Sequence, residues 1–523
     1  MGIIDLNNKI KDNPKNGDLY IQLGDEYSKT NINQAYLCYE QASNLCVGDK
    51  YTGALNKMNS CKVSEDFYVH PVSFVILSYN SKDIMIECLE AIRNTCTKGS
   101  YEVIVVDSNS TDGIREWLQE QNDIKLILND KFDGFAAGCN QGAKMAETDN
   151  DIYLLNNDAI VTPRSLFYMR LALYSKEKIG AVGPVSSNVV STQLYDFSSR
   201  SHDEWMKLAE SINHPSSNPI QYAHWLQGHA LLIKRRVWDE AGMLDTDFKF
   251  GGDEDLEYGI RLNLLGYQLC VCRNAFVYHY GSKSMNVVKD IYKKSLEINH
   301  KIFEYKYNLP MHMVQNYNFN NALQFVKNDS SQELKVLQIY GGCSNFLNIF
   351  KYKYKNVECT SIESNNMASK ISANYSNSFN LNLDCDNLLF ENESFDYIFF
   401  CDIERCNNLA DVLKKLKCIL KPLGHLIIES KNASHISIID SVVNGTFDSP
   451  LIKKCKHCYT TEDIRLLVDS CGYRIFGMVW NYSSDFASLT RSQNELLNKI
   501  LNLPNAKDKN TYVHTSVFID MIQ

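Results

Sequence analysis

From residue 71 onward the chain alternates short apolar runs with helical stretches, and it does so in two separate territories. "VSFVILSYN", "YEVIVVDSNSTDG", "IKLILND" and "DIYLLNND" read as strands that finish on polar residues, while residues 83–93 and "IREWLQEQ" have helical period. Repeated β-α-β units of this kind imply a mostly parallel sheet with helices on both faces. Three of the strands end on Asn80, Asp107 and Asp158. One such ending is ordinary turn chemistry. Three on successive units gather polar groups on a single edge, where open α/β sheets bind their ligands. A second alternation starts at Leu334 with "LKVLQIYGG", "VECTSIES", "FDYIFFCD" and "GHLIIESKN", and ends in "YRIFGMVW" and "TYVHTSVFIDMI".

Ahead of both, residues 17–47 carry two helical stripes joined by a polar turn, with Leu19, Tyr20, Leu23 and Tyr27 on one and Ala35, Tyr39 and Ala42 on the other. The pattern resembles a single tetratricopeptide repeat, which cannot bury its face alone and needs a neighbouring domain or a protein partner. The 523 residues exceed one ordinary core. The expected organisation is a helical segment at 1–66, an α/β domain at 67–305, an Asn- and Gln-rich connection at 306–333 and a second α/β domain at 334–523. The formal net charge of -9, without a basic tract, argues against nucleic acid as a partner. Seventeen cysteines scattered through apolar runs fit a reducing compartment. "CKHC" has the spacing of a metal-binding pair, but no matching second pair accompanies it. The amino-terminal stretch lacks a signal-peptide core and nowhere do eighteen apolar residues run together, so a cytoplasmic location without a transmembrane segment is expected.

"VSFVILSYNSKDIMIECLEAI", "YEVIVVDSNSTDG", "GFAAGCNQG" and "LLNNDAIV" resemble, in order and spacing, the successive signatures of family-2 glycosyltransferases of the GT-A type, over residues 71–284. The resemblance implies a Rossmann-like GT-A fold and transfer of a sugar from a nucleotide diphosphate donor with inversion at the anomeric carbon. Asn156-Asn157-Asp158 stands where that family has Asp-x-Asp, so Asp158 carries the charge. His279 matches a downstream histidine that completes the metal site in some GT-A enzymes. Such a ligand pair implies Mn²⁺, or Mg²⁺, to neutralise the leaving diphosphate. The resemblance places the nucleotide against Ser78, Tyr79, Asn80, Asp107, Gly134, Asn140 and Asn157, with Asp107 accepting from the base. That pattern suits UDP first and dTDP second.

The element "EDLEYGIR" aligns with the family's acidic motif, which supplies the base that takes the acceptor's proton. Asp255 is the first choice and Glu254 the second, because the acidic run permits a one-residue shift; Asp253 borders the same site. "HWLQGHALLIKR" resembles the acceptor-side segment, which places Trp225, Gln227 and Gly228 near acceptor or donor sugar. For Trp225 burial in the core is an equal alternative. The resemblance leaves the acceptor open between polysaccharide or lipid-linked glycans and Ser/Thr of a surface protein such as flagellin, with N-acetylglucosamine or a similar hexose as the sugar.

The second α/β territory resembles a class I methyltransferase, with "KVLQIYGGCS" at the glycine-rich turn and Glu363 at the second strand end. Its turn departs from that family's Asp-x-Gly-x-Gly-x-Gly: Gln338 replaces the acid, Tyr340 the first glycine and Ser344 the third. These departures speak against S-adenosylmethionine as a cofactor and for a degenerate domain. A glycosyltransferase with an active methyltransferase half, and a scaffold without activity, are the alternatives.

Overall fold

The structure, a computed structural model, describes residues 2–195, 200–249, 251–281, 289–315, 318–446, 449, 451, 455–481 and 489–523. The chain divides into two compact units, Met1–Asn308 and Leu309–Gln523.

In the first unit, strands β1 (Val72–Ser78), β2 (Tyr101–Ser108), β3 (Lys125–Asn129), β4 (Asp151–Asn156), β5 (Ala159–Val161), β6 (Ile179–Ser186), β7 (Ile220–Ala223), β8 (Ala230–Ile233) and β9 (Gln268–His279) build one nine-stranded sheet. Its order is β3-β2-β1-β4-β8-β6-β9-β5, with β7 also paired to β9. The first four strands are parallel, as the alternation requires, and β1 is buried along its whole length between the helix layers. β4 then pairs antiparallel with β8, in the register Leu155↔Ala230, and β5 antiparallel with β9, in the register Ala159↔His279. This mixed half is what brings residues of distant sequence to the end of β4.

The amino-terminal helices Gly17–Tyr27, Ile32–Leu45 and Asp49–Lys62 belong to this unit and share its core rather than forming a separate body, which departs from a boundary at residue 66. Tyr20 meets Phe167 edge-to-face at 5.6 Å between centroids. Arg170, with its side chain only 3% exposed, is ion-paired to Glu40 and donates to the His70 carbonyl at 2.9 Å. The side chains of Asn31 and Gln34 donate to the carbonyls of Tyr174 and Leu171. The helical face left without a partner by a single repeat is covered by the α/β domain itself.

Within the polar stretch at 189–221, part of which (196–199) lies outside the described residues, a helix spans His202–Ile212. Ser201 and Glu204 form a capping box at its start, and Trp205 stacks on Phe276 with ring centroids 5.5 Å apart.

The second unit has strands β10 (Leu334–Ile339), β11 (Val357–Glu363), β12 (Asn377–Asn380), β13 (Phe395–Phe400), β14 (Leu420–Lys431), β15 (Arg474–Asn481) and β16 (Ser516–Ile522). They lie in the order β12-β11-β10-β13-β14-β16-β15, with β16 antiparallel to both its neighbours. Counted within the unit this is 3-2-1-4-5-7-6, a doubly wound sheet with an antiparallel strand inserted near one edge, which is the class I methyltransferase topology. The segment 306–333 is not a bare connection: Phe319, Ala322 and Phe325 of the 3-10 helix Asn318–Phe325 fill part of this unit's core.

Candidate active site

The site assembles at the carboxyl ends of β1, β2 and β4, where each strand gives way to polar backbone. β1 stops at Ser78, which is buried, its hydroxyl without a hydrogen-bond partner. Tyr79 follows, 39% exposed and tilted against Phe132 with centroids 5.2 Å apart, an aromatic surface open to solvent. Asn80 and Ser81 then take positive φ of 54° and 63°, conformations that side chains other than glycine adopt only when held. Here the holding is specific. The Asn80 N–H donates to Ser110 Oγ at 2.8 Å, and Asn80 Oδ1 accepts the Thr111 N–H at 2.9 Å. Ser110 in turn donates its hydroxyl and its N–H to Asp107 at the end of β2, and Arg115 lies 3.1 Å from the same carboxylate. Asp107 is fully buried. Its oxygens lace the β1 and β2 ends together, so its first role is in the turn, and a base could reach it only through this network.

The glycines of "GFAAGCNQG" divide by role. Gly134 has φ 97° and ψ 163° and starts the helix Phe135–Met145. A Cβ on Gly138 would stand 2.3 Å from Leu77 Cδ1, and one on Gly142 would stand 2.5 Å from Val75 Cγ1, so both let the helix press onto β1. Asn140, expected at the nucleotide, is bonded to the backbone of Leu244. Its amide donates to the Leu244 carbonyl at 2.8 Å and accepts the Leu244 N–H at 2.9 Å, which uses both ends of the side chain in a buried backbone clamp. Asn157 is buried and donates to the Asn80 carbonyl at 3.4 Å, tying the β4 end to the β1 end.

Asp158 and His279 come together as the sequence suggested. Antiparallel pairing of β5 with β9 sets Ala159 opposite His279, and the Tyr280 N–H donates to the Asp158 carbonyl at 3.0 Å. His279 Nε2 lies 3.3 Å from Asp158 Oδ1, both side chains being about 5% exposed. The imidazole Nδ1 lies 3.2 Å from the Asn188 carbonyl, an atom that can only accept, so Nδ1 carries a proton. Nε2 is buried and makes no hydrogen bond. In the neutral imidazole its lone pair therefore faces a carboxylate across a gap suited to a cation. This orphaned nitrogen beside a carboxylate fits a divalent metal of mixed nitrogen and oxygen preference such as Mn²⁺. Among the described residues no cluster of three or more His, Cys, Asp or Glu side chains is arranged to hold a metal. A metal held by these two side chains would draw its other ligands from phosphate and water.

The acidic run lies one step away. The Asn156 N–H donates to the His229 carbonyl at 2.9 Å, and the preceding Gly228 N–H donates to Asp255 Oδ2 at 2.6 Å. Two backbone links thus connect the metal-side strand end to an acid on the first turn of the helix Glu254–Leu264. Asp255 Oδ1 accepts the N–H of Leu256 at 2.7 Å. Burial raises its pKa, and the Gly228 and Leu256 N–H groups oppose that rise. The Glu254 pKa is raised well above the ordinary carboxylate range, first by burial and then by the neighbouring Asp255 charge. Asp253, at φ 72°, is raised to about 7 for the same two reasons, and faces His300 Nε2 at 3.2 Å. Glu257 is fully buried and paired with Arg261, Lys306 and the Tyr307 hydroxyl, which makes it part of the scaffold. Of the four acids Asp255 alone is half-buried rather than buried, and the N–H groups of Gly228 and Leu256 fix it.

On the acceptor-side segment, Gln227 accepts the Val190 N–H at 3.1 Å. Trp225 is buried, 6% exposed, and a Cβ on Gly259 would stand 2.8 Å from its Cα. His229 was not anticipated from the sequence. Its ring lies 5.0 Å from that of His279 and its Nε2 is 2.7 Å from Ser186 Oγ, with burial lowering its pKa well below the usual histidine value. The histidine at 229 carried no sequence signal, because its partners Ser186 and His279 are far away in the chain.

One edge of the α/β sheet thus presents a carboxylate–imidazole pair beside an acid-bearing helix. Residues 73–231 match the model of glycosyl transferase family 2, and this is a family-2 glycosyltransferase domain. None of the curated proteins matches the chain. Among solved structures, GalNAc-T7 with UDP, GalNAc and Mn²⁺ is 15% identical over 40% of this chain and 43% of its own, with a TM-score of 0.34. The mannosyltransferase PcManGT from Pyrobaculum calidifontis, in complex with GDP-Man and Mn²⁺, is 19% identical over 47% of this chain and 68% of its own, at 0.31. A SAM-dependent methyltransferase from Archaeoglobus fulgidus is 15% identical over 42% of this chain and 98% of its own, at 0.31.

The residues of the second unit do not fit S-adenosylmethionine. The two glycines left in its turn are explained by the unit's own atoms. A Cβ on Gly341 would overlap Gln338 Nε2 at 1.7 Å, and one on Gly342 would meet the Met313 carbonyl at 2.1 Å. That carbonyl also accepts the Cys343 N–H at 3.0 Å. Tyr340 is buried, its hydroxyl accepting the Leu383 N–H at 2.9 Å. Glu363 is fully buried, and burial raises its pKa well above the carboxylate range, opposed by Arg405 and by the Gly341 and Gly342 N–H groups. The turn that would receive a cofactor is closed by the backbone of residue 313, and the acid that would meet a ribose is buried with its pKa raised.

Proposed function

We propose that the chain is a metal-dependent, inverting glycosyltransferase that moves a hexose, N-acetylglucosamine or a similar sugar, from a UDP-sugar to a hydroxyl group. The observation that carries this reading is the convergence on one sheet edge of the Asp158–His279 pair and Asp255, linked through the Gly228–His229 backbone.

Asp158 and His279 would hold the divalent cation, whose charge stabilises the leaving nucleoside diphosphate when it is bound. Tyr79 and Phe132 offer an aromatic surface for the base. Asp255 accepts the acceptor's proton as the hydroxyl oxygen bonds to the anomeric carbon and the bond from that carbon to the phosphate oxygen breaks. A serine, threonine or sugar hydroxyl ionises too weakly to dispense with this base. The Gly228 and Leu256 N–H groups aim the carboxylate and oppose the rise in its pKa that burial causes.

The acceptor in this reading is Ser or Thr of a bacterial surface protein such as flagellin, glycosylated in the cytoplasm; a polysaccharide or lipid-linked glycan is the other acceptor class. All seventeen cysteines are free thiols, and among the described residues no helix is long and apolar enough to cross a membrane. The experiment is release of UDP from a panel of UDP-sugars, with and without Mn²⁺, for wild type and Asp158→Ala. Metal-dependent release confined to one sugar and lost in the variant is expected. Release that is indifferent to metal and to Asp158 would refute the assignment.

A further inference from the structure

A histidine can serve a metal only if its ring is held in one tautomer and one orientation, and the partner of its other nitrogen sets both. For His279 that partner belongs to the turn after β6. Asn188 adopts the left-handed conformation, φ 48°, which asparagine tolerates better than most residues. That conformation presents its carbonyl to His279 Nδ1 at 3.2 Å. The side chain of the same residue donates to the His279 carbonyl at 2.8 Å and approaches the Tyr280 carbonyl at 3.4 Å. Ser187 completes the grip: its hydroxyl accepts the His279 N–H at 3.0 Å and donates to the His279 carbonyl at 3.0 Å. Across the gap, Gly281 (φ 80°) lies so close to Asn188 that an added Cβ would stand 2.8 Å from the Asn188 Cβ.

Asn188 therefore grips His279 twice, at the backbone through its amide and at the ring through its carbonyl. We infer that Asn188 is the positioning residue of the metal site, fixing His279 as the Nδ1–H tautomer with Nε2 turned to Asp158. Asn188 is itself exposed, and most of its hydrogen bonds go to this one histidine. The inference rests on the metal reading above and adds to it the residue that sets the ring.

The test is Mn²⁺ affinity, read from the EPR signal of free Mn²⁺ with UDP or GDP present, for wild type, Asn188→Ala and Asn188→Gly. Loss of an outer partner of a metal-bound histidine weakens metal affinity about 10- to 100-fold. Asn188→Ala, which loses the amide and disfavours positive φ, is expected to show that loss. Asn188→Gly, which keeps the backbone conformation and the carbonyl, is expected to fall between it and wild type. Turnover of Asn188→Ala should recover at high Mn²⁺, whereas a merely structural defect would persist at every metal concentration. Wild-type binding with an unchanged Asn188→Ala variant would overturn the inference alone. Wild type that binds no Mn²⁺ would overturn the metal reading and the inference with it.

Discussion

Which of two adjacent acids serves as the base is decided by paired substitutions, Asp255→Asn and Glu254→Gln. Burial and the neighbouring Asp255 charge raise the Glu254 pKa and so favour its neutral form, whose shape glutamine reproduces. Turnover should stay within about 3-fold of wild type, since only a neutral hydrogen-bonding group is exchanged. Asp255→Asn removes the proton acceptor. Loss of a general base lowers turnover about 10²- to 10⁴-fold, or roughly 3–5 kcal/mol of barrier. The variant also has a structural cost. Asp255 accepts from both Gly228 and Leu256, and an asparagine offers one oxygen, so its NH₂ must face the second N–H. A lost hydrogen bond to a charged group is worth about 1.5–3 kcal/mol, which is a melting shift of a few degrees in a unit of this size. The assay is UDP release, as hydrolysis and as transfer, with Mn²⁺-dependent UDP affinity measured alongside. Nucleotide affinity should hold in both variants while turnover falls only in Asp255→Asn. The reverse order, Glu254→Gln inactive and Asp255→Asn active, would refute the assignment and the burial argument behind it.

Two further outcomes are expected. Arg170→Met should destabilise the first unit by about 3–5 kcal/mol, because it strands the Glu40 carboxylate in the helix–sheet interface, whereas Arg170→Met with Glu40→Leu should recover most of that loss in urea unfolding; equal destabilisation by both would show that the ion pair is not what joins the helices to the sheet. Asp253 is raised to about 7 by burial and by Asp255, with His300 facing it, so the folded state binds a proton that the unfolded chain releases near pH 4; its contribution to stability is full below pH 4 and is lost as pH rises towards 7, on the order of 2 kcal/mol between pH 5 and 8. Asp253→Asn should flatten that slope, and an unchanged slope would contradict it.

Periodicity made the strands of both sheets legible, because a strand buried on both faces must be a continuous apolar run wherever it lies in the chain. The helix His202–Ile212 was not anticipated, because its polar flanks hid the capping box Ser201-x-x-Glu204 and the helical spacing of Trp205, Ala209 and Ile212. Asp158, His279 and Asp255 were visible through motif likeness. Asn140 and Trp225 are both buried, and their residue types suit a ligand and a core equally well.

What the sequence determined by itself was local: which segments are strands, which strand ends are polar, and which acids stand in a run. These follow from backbone sterics and from side-chain alternation over a few residues. Only the tertiary structure decided which of those groups share an environment. Asp107 is spent on Ser110 and Arg115, Asn140 on Leu244, and Glu257 on Lys306 and Tyr307, while Asp158 is left facing a nitrogen that has no hydrogen bond. The antiparallel pairing of β5 with β9 and of β4 with β8 carries out that sorting. Burial and charge depend on neighbours in space, so no pattern along the chain could state in advance which carboxylates would be paired and which would be left open.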